Sequence, residues 1–439
     1  MSVAAALERA RAAARPQVTG SVVGAMGLTL TATGVTAAVG DLVEVVVDAD
    51  AAERRLLAEV VAVSADRLVC MPLGDLSGVH AGARVRPTGM PLQVPVGEAL
   101  LGRVLDGLGR PVDGGPPLGS GVSYVDLASE TPHALSRTRV DQPLTFGVRA
   151  LDTLVPCGKG QRLGIFAGSG VGKSTLLSQI TRGTDADVRV IGLIGERGRE
   201  VREFLEENLG PEGMARTVVV VATSDEPPLV RLKAAFVATR IAEAFRDQGR
   251  DVLLLMDSIT RTAMAQREVG LSAGEPPATR GYPPSVFAMM PRLLEKAGTG
   301  ATGSITGLYT VLVEGDDHNE PIADTARSIL DGHIVLTRKL ATTGHFPAID
   351  VLESISRVAG AVVPPERMAD AREVRRLMGA LRDVRELIEI GAYQSGTDPL
   401  VDRARQLAPA IESFLQQPLG ESTPPAESWA WLQRIVSGT

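Results

Sequence analysis

One stretch limits what this chain can fold into more than any other. Residues 162 to 180 read RLGIFAGSGVGKSTLLSQI. An apolar run ending at Ala167 passes into Gly168, Ser169, Gly170, Val171, Gly172, Lys173, Ser174 and Thr175, and a helical pattern with Leu176, Leu177 and Ile180 follows. Glycines let successive backbone N–H groups turn inward and form an anion nest. The start of the helix adds partial positive charge. Lys173 can then reach the β- and γ-phosphates of ATP, and the Ser174 hydroxyl can ligate Mg2+. The strict pattern has Gly at its first position, where this chain has Ala167. That position closes the turn rather than touching phosphate. The bland reading, a Gly-rich turn that binds nothing, is weighed against the acidic residues described next.

A strand–loop–helix of this kind needs a parallel sheet around it, and the surrounding sequence supplies one. Arg162–Ala167, Val188–Ile194, Thr217–Ala222 and Asp251–Met256 are short apolar runs with turn signals at their ends. Helical patterns such as Val230–Gln248 lie between them, and runs at Gly307–Val313 and His333–Thr337 add strands. Such alternation predicts an α/β core, mostly parallel and covered on both faces. In open α/β sheets ligands bind beyond the carboxyl ends of the strands. Asp257 follows the run 251–256 and is the candidate for holding Mg2+. Glu196 follows the run 188–194 and could accept a proton from the attacking water. Arg197 and Arg261 could touch phosphate or hold Glu196, or could be structural ion pairs.

The flanks differ in texture. Residues 1–16 form an Ala- and Arg-rich arm, predicted helical and ended by Pro16. Residues 17–88 read as short strands, including Leu42–Val47, Leu56–Val63 and Arg67–Met71, which predicts a small β-barrel. A Gly/Pro-rich stretch from Thr88 to Leu118 reads as turns connecting domains. Residues 89–363 hold the α/β core, and 364–439 carry helical periodicity in Met368–Ile390 and Leu400–Gln417. Aromatics are only 3% of the chain, so the cores must be aliphatic. The net charge of −7 gives no sign of a duplex-binding surface. Cys70 and Cys157 stand far apart and read as buried reduced thiols. No apolar run is long enough to span a membrane, and the start lacks the order of a secretory signal, which suggests a cytoplasmic protein.

Further segments carry a resemblance. GIFAGSGVGKSTL, IGERGREV, LLLMDSITR, RGYPPSVFA, EGDDHNEPIADTARSILDGHIVL and FPAIDVLESISRV resemble, in this order, the ATPases of flagellar and type III protein export, which are similar in turn to the catalytic subunits of rotary F-type and V-type ATPases. The resemblance extends from about Val18 to the helical end. It implies an N-terminal β-barrel, a RecA-like P-loop ATPase core and a C-terminal helical domain. It implies a homohexamer with nucleotide between neighbours, where Arg357 matches the arginine finger and Phe346 the aromatic that packs on adenine. It also implies a stator-like regulatory protein at the N-terminal arm, chaperones and export substrates at the C-terminal domain, and an export gate at the inner face of the cell membrane. DTARSILDGHIVLTRKL and GKGQRLGIFAG favour the flagellar branch over the virulence injectisome.

Other functions stay in view. A rotary synthase subunit is disfavoured by the Gly–Tyr–Pro–Pro segment at 281–284 and the short length. A non-catalytic nucleotide-binding subunit would lose Lys173 or the carboxylate at 196, and both are present. A hexameric RNA translocase would need base-stacking aromatics near its N-terminus. Residues 17–88 contain no Phe, Tyr or Trp, so no nucleic-acid partner is expected.

Overall fold

The computed structural model describes residues 18–49, 52–313 and 320–438. The N-terminal arm, and residues 314–319 of the EGDDHN segment, lie outside the described residues.

Six strands close a barrel: β1 (Gly20–Met26), β2 (Thr29–Thr33), β3 (Asp41–Ala49), β4 (Ala52–Val63), β5 (Arg67–Pro72) and β6 (Arg84–Pro91), in the order β1-β2-β5-β4-β3-β6. Alternation explains its filling. Val43, Val45 and Val47 of β3 and Leu56, Ala58 and Val60 of β4 point inward and are buried. The barrel closes where Gly20 pairs with Val85. Cys70 lies inside, and burial pushes its thiol up to about 12, which leaves it an inert apolar filler.

The central sheet contains β7 (Val104–Asp106), β8 (Arg162–Ala167), β9 (Val188–Glu196), β10 (Thr217–Thr223), β11 (Asp251–Asp257), β12 (Ser304–Leu312), β13 (Gly332–Leu336) and β14 (Ile349–Ser356). Their order across the sheet is β14-β13-β8-β12-β11-β9-β10-β7. All neighbours in this path run parallel except β13 and β14. Both faces are covered, so these strands are continuous apolar runs rather than half-polar ones. Residues still divide by parity: Leu254 and Met256 pack into one core, Leu253 and Leu255 into the other. One core contains α3 (Pro228–Asp247), α4 (Ile259–Ser272), α5 (Pro284–Leu294) and α6 (Pro321–Ile329). The other contains α1 (Arg149–Leu154), α2 (Lys173–Gly183) and the C-terminal helices.

Two expectations need adjustment. The Thr88–Leu118 stretch, read as connecting turns, contributes β7 as an edge strand of the sheet. Three residues between Arg103 and Gly107 are too short for a legible period. The helix expected over 368–390 is interrupted at Val384: α7 (Pro365–Asp383) ends there, and a short separate helix covers Arg385–Glu389. Beyond Leu381 the packing is thin, with Leu387 and Ile390 48% and 75% exposed, and a helix gains most of its stability from a packed apolar face. The tail continues with α8 (Pro399–Leu415) and α9 (Pro425–Ser437), which enclose Val374, Leu377, Ile411, Phe414 and Leu432.

The C-terminal end of α2 is fixed by close backbone approach. A Cβ on Gly183 would lie 2.3 Å from the Phe146 carbonyl oxygen. Rigid backbone cannot yield there as a flexible side chain could. Gly183→Ala should therefore destabilise the core by about 1–3 kcal/mol, as overpacking does. An unchanged denaturation midpoint would contradict this close packing.

Candidate active site

The loop after β8 has the backbone that a phosphate nest needs. Gly170 and Gly172 take φ of 76° and 88°, a region that L side chains avoid. Gly172 caps α2, so the free N–H groups of the first turn face the loop. Ser174 and Thr175 lie in that first turn, with Ser174 exposed. Val171 is buried and anchors the loop in the core. Arg338 donates to the Ser169 carbonyl oxygen at 3.3 Å, a tie from the far side that the sequence did not signal.

The parallel sheet carries two carboxylates to the same edge. Leu193 is in register with Asp257, Met256 with Tyr309, and Leu312 with Ala167, so the carboxyl ends of β9, β11, β12 and β8 line up. Lys173 Nζ donates to Asp257 Oδ1 at 2.5 Å and lies 3.5 Å from Glu196 Oε1. Thr310 Oγ1 donates to the same Asp257 oxygen at 2.7 Å. Thr310 was missed in the sequence, although a hydroxyl within the apolar run of β12 is a usable signal. Burial opposes the charge on Lys173, but Asp257 and Glu196 outweigh it and hold its ammonium above the ordinary range. Burial and the Asp257 charge push the Glu196 carboxyl up to about 7, with Lys173 pulling the other way and Glu200 adding to the rise.

The remaining candidates divide. Arg261 belongs here: a Cβ on Gly195, which has φ of 72°, would lie 3.0 Å from the Arg261 Cβ. Its Nε is buried with no hydrogen-bond partner, and its side chain lines a cavity of about 460 Å³ with Thr260, Arg267 and Arg280. Arg197 points outward. Its side chain is 79% exposed and sits 3.7 Å from Glu200. Phe346 lies over the phosphate loop, since a Cβ on Gly172 would meet its ring at 3.1 Å, and the ring remains 41% exposed.

Arg357 is far from this cluster in its own chain. Strand β14 runs antiparallel to β13, with Ile349 beside Leu336 at the phosphate-loop end and Ser356 beside Gly332 at the other. Arg357 follows Ser356, and its N–H donates to the Asp331 carbonyl oxygen at 3.0 Å. Asp331 is forked by Arg162, at 3.0 and 3.1 Å, at the start of β8. Six residues of strand, roughly 17–20 Å, therefore separate Arg357 from the loop at the end of β8. The exposed Arg357 side chain faces out of the chain.

A magnesium ion fits the donor set. Asp257, with Glu196 beside it, already holds a cation in the form of the Lys173 ammonium. Among the described residues there is no cluster of three or more His, Cys, Asp or Glu able to hold a metal alone. Mg2+ characteristically needs only one or two protein oxygens when phosphates complete its shell.

Comparison with known proteins agrees with this geometry. Residues 147–356 match the nucleotide-binding domain of the ATP synthase alpha/beta family, and residues 22–89 its beta-barrel domain. Residues 363–434 match the T3SS EscN ATPase C-terminal domain. The chain is 50% identical to the flagellum-specific ATP synthase of Pseudomonas aeruginosa, over 97% of this chain and 94% of that one. The chain belongs to the flagellar and type III secretion ATPase family. It is likewise 50% identical to the type 3 secretion system ATPase of Xanthomonas euvesicatoria, over 91% of this chain and 90% of that one. The assembled ATPase EscN of the enteropathogenic E. coli type III secretion system superposes with a TM-score of 0.90 at 46% identity, over 95% of this chain and 100% of EscN. The resemblance drawn from the sequence thus holds, and with it the ATPase class, the barrel, the RecA-like core and the helical C-terminal domain.

The environment of Glu196 makes a direct prediction. An infrared titration of the nucleotide-free protein, taken as the difference between wild type and Glu196→Gln, should show a carboxyl losing its proton near pH 7. A midpoint at the ordinary glutamate value of about 4.3 would contradict the buried, Asp257-facing geometry.

Proposed function

We propose that this chain is the ATP-hydrolysing subunit of a type III protein export machine, acting as a ring of six copies whose sites are completed between neighbours. The observation that carries this reading is the pair of positions at the two ends of β8. Lys173, Asp257 and Glu196 meet at one end, and Arg357 is anchored at the other.

The chemistry follows from charge. A triphosphate entering the glycine loop competes with Asp257 and Glu196 for the Lys173 ammonium. Lys173 turns to the β- and γ-phosphates and releases Asp257. Ser174 and Asp257 would hold Mg2+, which when bound neutralises charge on the phosphate oxygens. Glu196 accepts a proton from the water that attacks the γ-phosphorus while the bond to the β–γ bridging oxygen breaks. Arg261, next to Gly195, supports Glu196 and the leaving phosphate. Arg197 acts only through Glu200. Arg357 enters from the adjoining copy and stabilises the transferring phosphoryl group, a role typically worth about 10³–10⁵ in rate. Phe346 packs on adenine.

We place the working units at residues 17–88, 89–363 and 364–439. The flagellar pathway is favoured by DTARSILDGHIVLTRKL and GKGQRLGIFAG. A virulence secretion role is the second reading, favoured by the EscN-type C-terminal match over 363–434. A structure of EscN with its central stalk EscO supports a stalk partner for this chain's ring. Regulatory contacts at the N-terminal arm, chaperones and substrates at the helical domain, and peripheral placement at the cytoplasmic face of the membrane complete the proposal. None of the described helices is long and apolar enough to cross a membrane.

Lys173→Ala should abolish nucleotide turnover, and Arg357→Ala should lower turnover by at least about a hundredfold while sparing ATP binding. Mixed rings of the two variants should regain part of the activity, since one supplies the loop and the other the finger. Mixed rings that form but stay inactive at every ratio would count against sites shared between chains.

A further inference from the structure

The base side of the nucleotide site is tied to the C-terminal helical domain through one buried residue, Gln417. It is 2% exposed, just past the end of α8. Its backbone N–H donates to the Phe346 carbonyl oxygen at 2.9 Å. Its carbonyl oxygen accepts from the Gln179 side chain at 3.2 Å, and Gln179 lies on α2, the helix that begins at the phosphate loop. Its own side chain is fully engaged: Oε1 accepts from the Arg149 backbone N–H at 2.9 Å, and Nε2 donates to the Gly147 carbonyl oxygen at 2.8 Å. The base loop, the phosphate-loop helix and the start of α1 therefore meet on a single side chain and its peptide.

Arg149 holds this junction in place. Its guanidinium, 2% exposed, donates to the carbonyl oxygens of Phe414 at 2.8 Å and Gln416 at 2.5 Å, pairs with Glu421, and stacks 4.8 Å from the Trp431 ring centroid. A buried arginine is costly unless every donor is satisfied. These contacts tie the segment 414–421 to the Arg149 side chain. The Phe346 ring lies close over Gly172, where an added Cβ would meet it at 3.1 Å.

We propose that Gln417 is a positioning residue for the adenine base. It acts through Phe346, so that the helical domain sets the affinity of the site for ATP. This rests on the reading of the glycine loop and Phe346 as the ATP site.

The test separates base from phosphate. Binding of ATP and of inorganic tripolyphosphate, both with Mg2+, is measured on full-length wild type, Gln417→Met, Phe346→Ala and the double variant. Gln417→Met should weaken ATP about tenfold, within the range of a lost base–aromatic stack, and change tripolyphosphate by less than about twofold. The double variant should bind ATP within about twofold of Phe346→Ala, because Gln417 acts through that ring. Equal losses for both ligands, no loss, or losses that multiply in the double variant would overturn the proposal. Should Gln417→Met not fold, Gln179→Met takes its place, with the same selective loss of ATP expected and an unselective or absent loss overturning it. Wild type that binds neither ligand would remove the underlying site reading as well.

Discussion

The ammonium of Lys173, held between Asp257 and Glu196, is the interaction on which the rest of the site depends. Two carboxylates at one edge of a buried sheet repel each other, and a cation between them makes the arrangement tolerable. Removing one partner of such a buried pair typically costs about 3–5 kcal/mol. Burial and the Asp257 charge hold the Glu196 carboxyl up at about 7, so it gains or loses its proton around neutral pH. It is therefore poised, neither locked nor empty of charge. On the proposed reading, an arriving polyanion would take the lysine and leave the acids to a metal ion and a water proton.

Strand β8 converts this local chemistry into a property of an assembly. Its carboxyl end opens into the phosphate loop, and its amino end carries Arg162, which forks Asp331 beneath Arg357. The strand is stiff, flanked by β13 and β12 on both sides, and buried. If Arg357 completes a neighbouring site, one strand joins two sites. On the opposite flank, Gln417 and Arg149 join the phosphate-loop helix and the Phe346 loop to the helical domain.

Much of this was legible in the sequence, for physical reasons that can be named. Gly170 and Gly172 are required by positive φ, Lys173 follows from the loop, and Asp257 and Glu196 follow from the rule that parallel strands end together. The edge strand Ile349–Ser356 was harder, since it alternates buried and exposed residues against β13 and resembles a loop with scattered aliphatics. Arg338 and Gln417 were invisible because the partners that bring them to the site, Ser169 and Arg149, lie 169 and 268 residues away. No periodicity reports such pairings. Arg197 shows the converse: adjacency to Glu196 suggested a shared role, yet the chain turn after β9 directs it to solvent. Sequence neighbours on a strand end point to opposite faces.

If Arg357 serves a neighbouring site, a lone chain is catalytically incomplete, because Arg357 and Lys173 stand at opposite ends of one strand. ATPase activity per chain, measured across a range of protein concentration alongside light scattering, tests this claim. Specific activity should rise in step with the appearance of rings and be low where the chain is monomeric. Full activity in a demonstrably monomeric sample would contradict the claim.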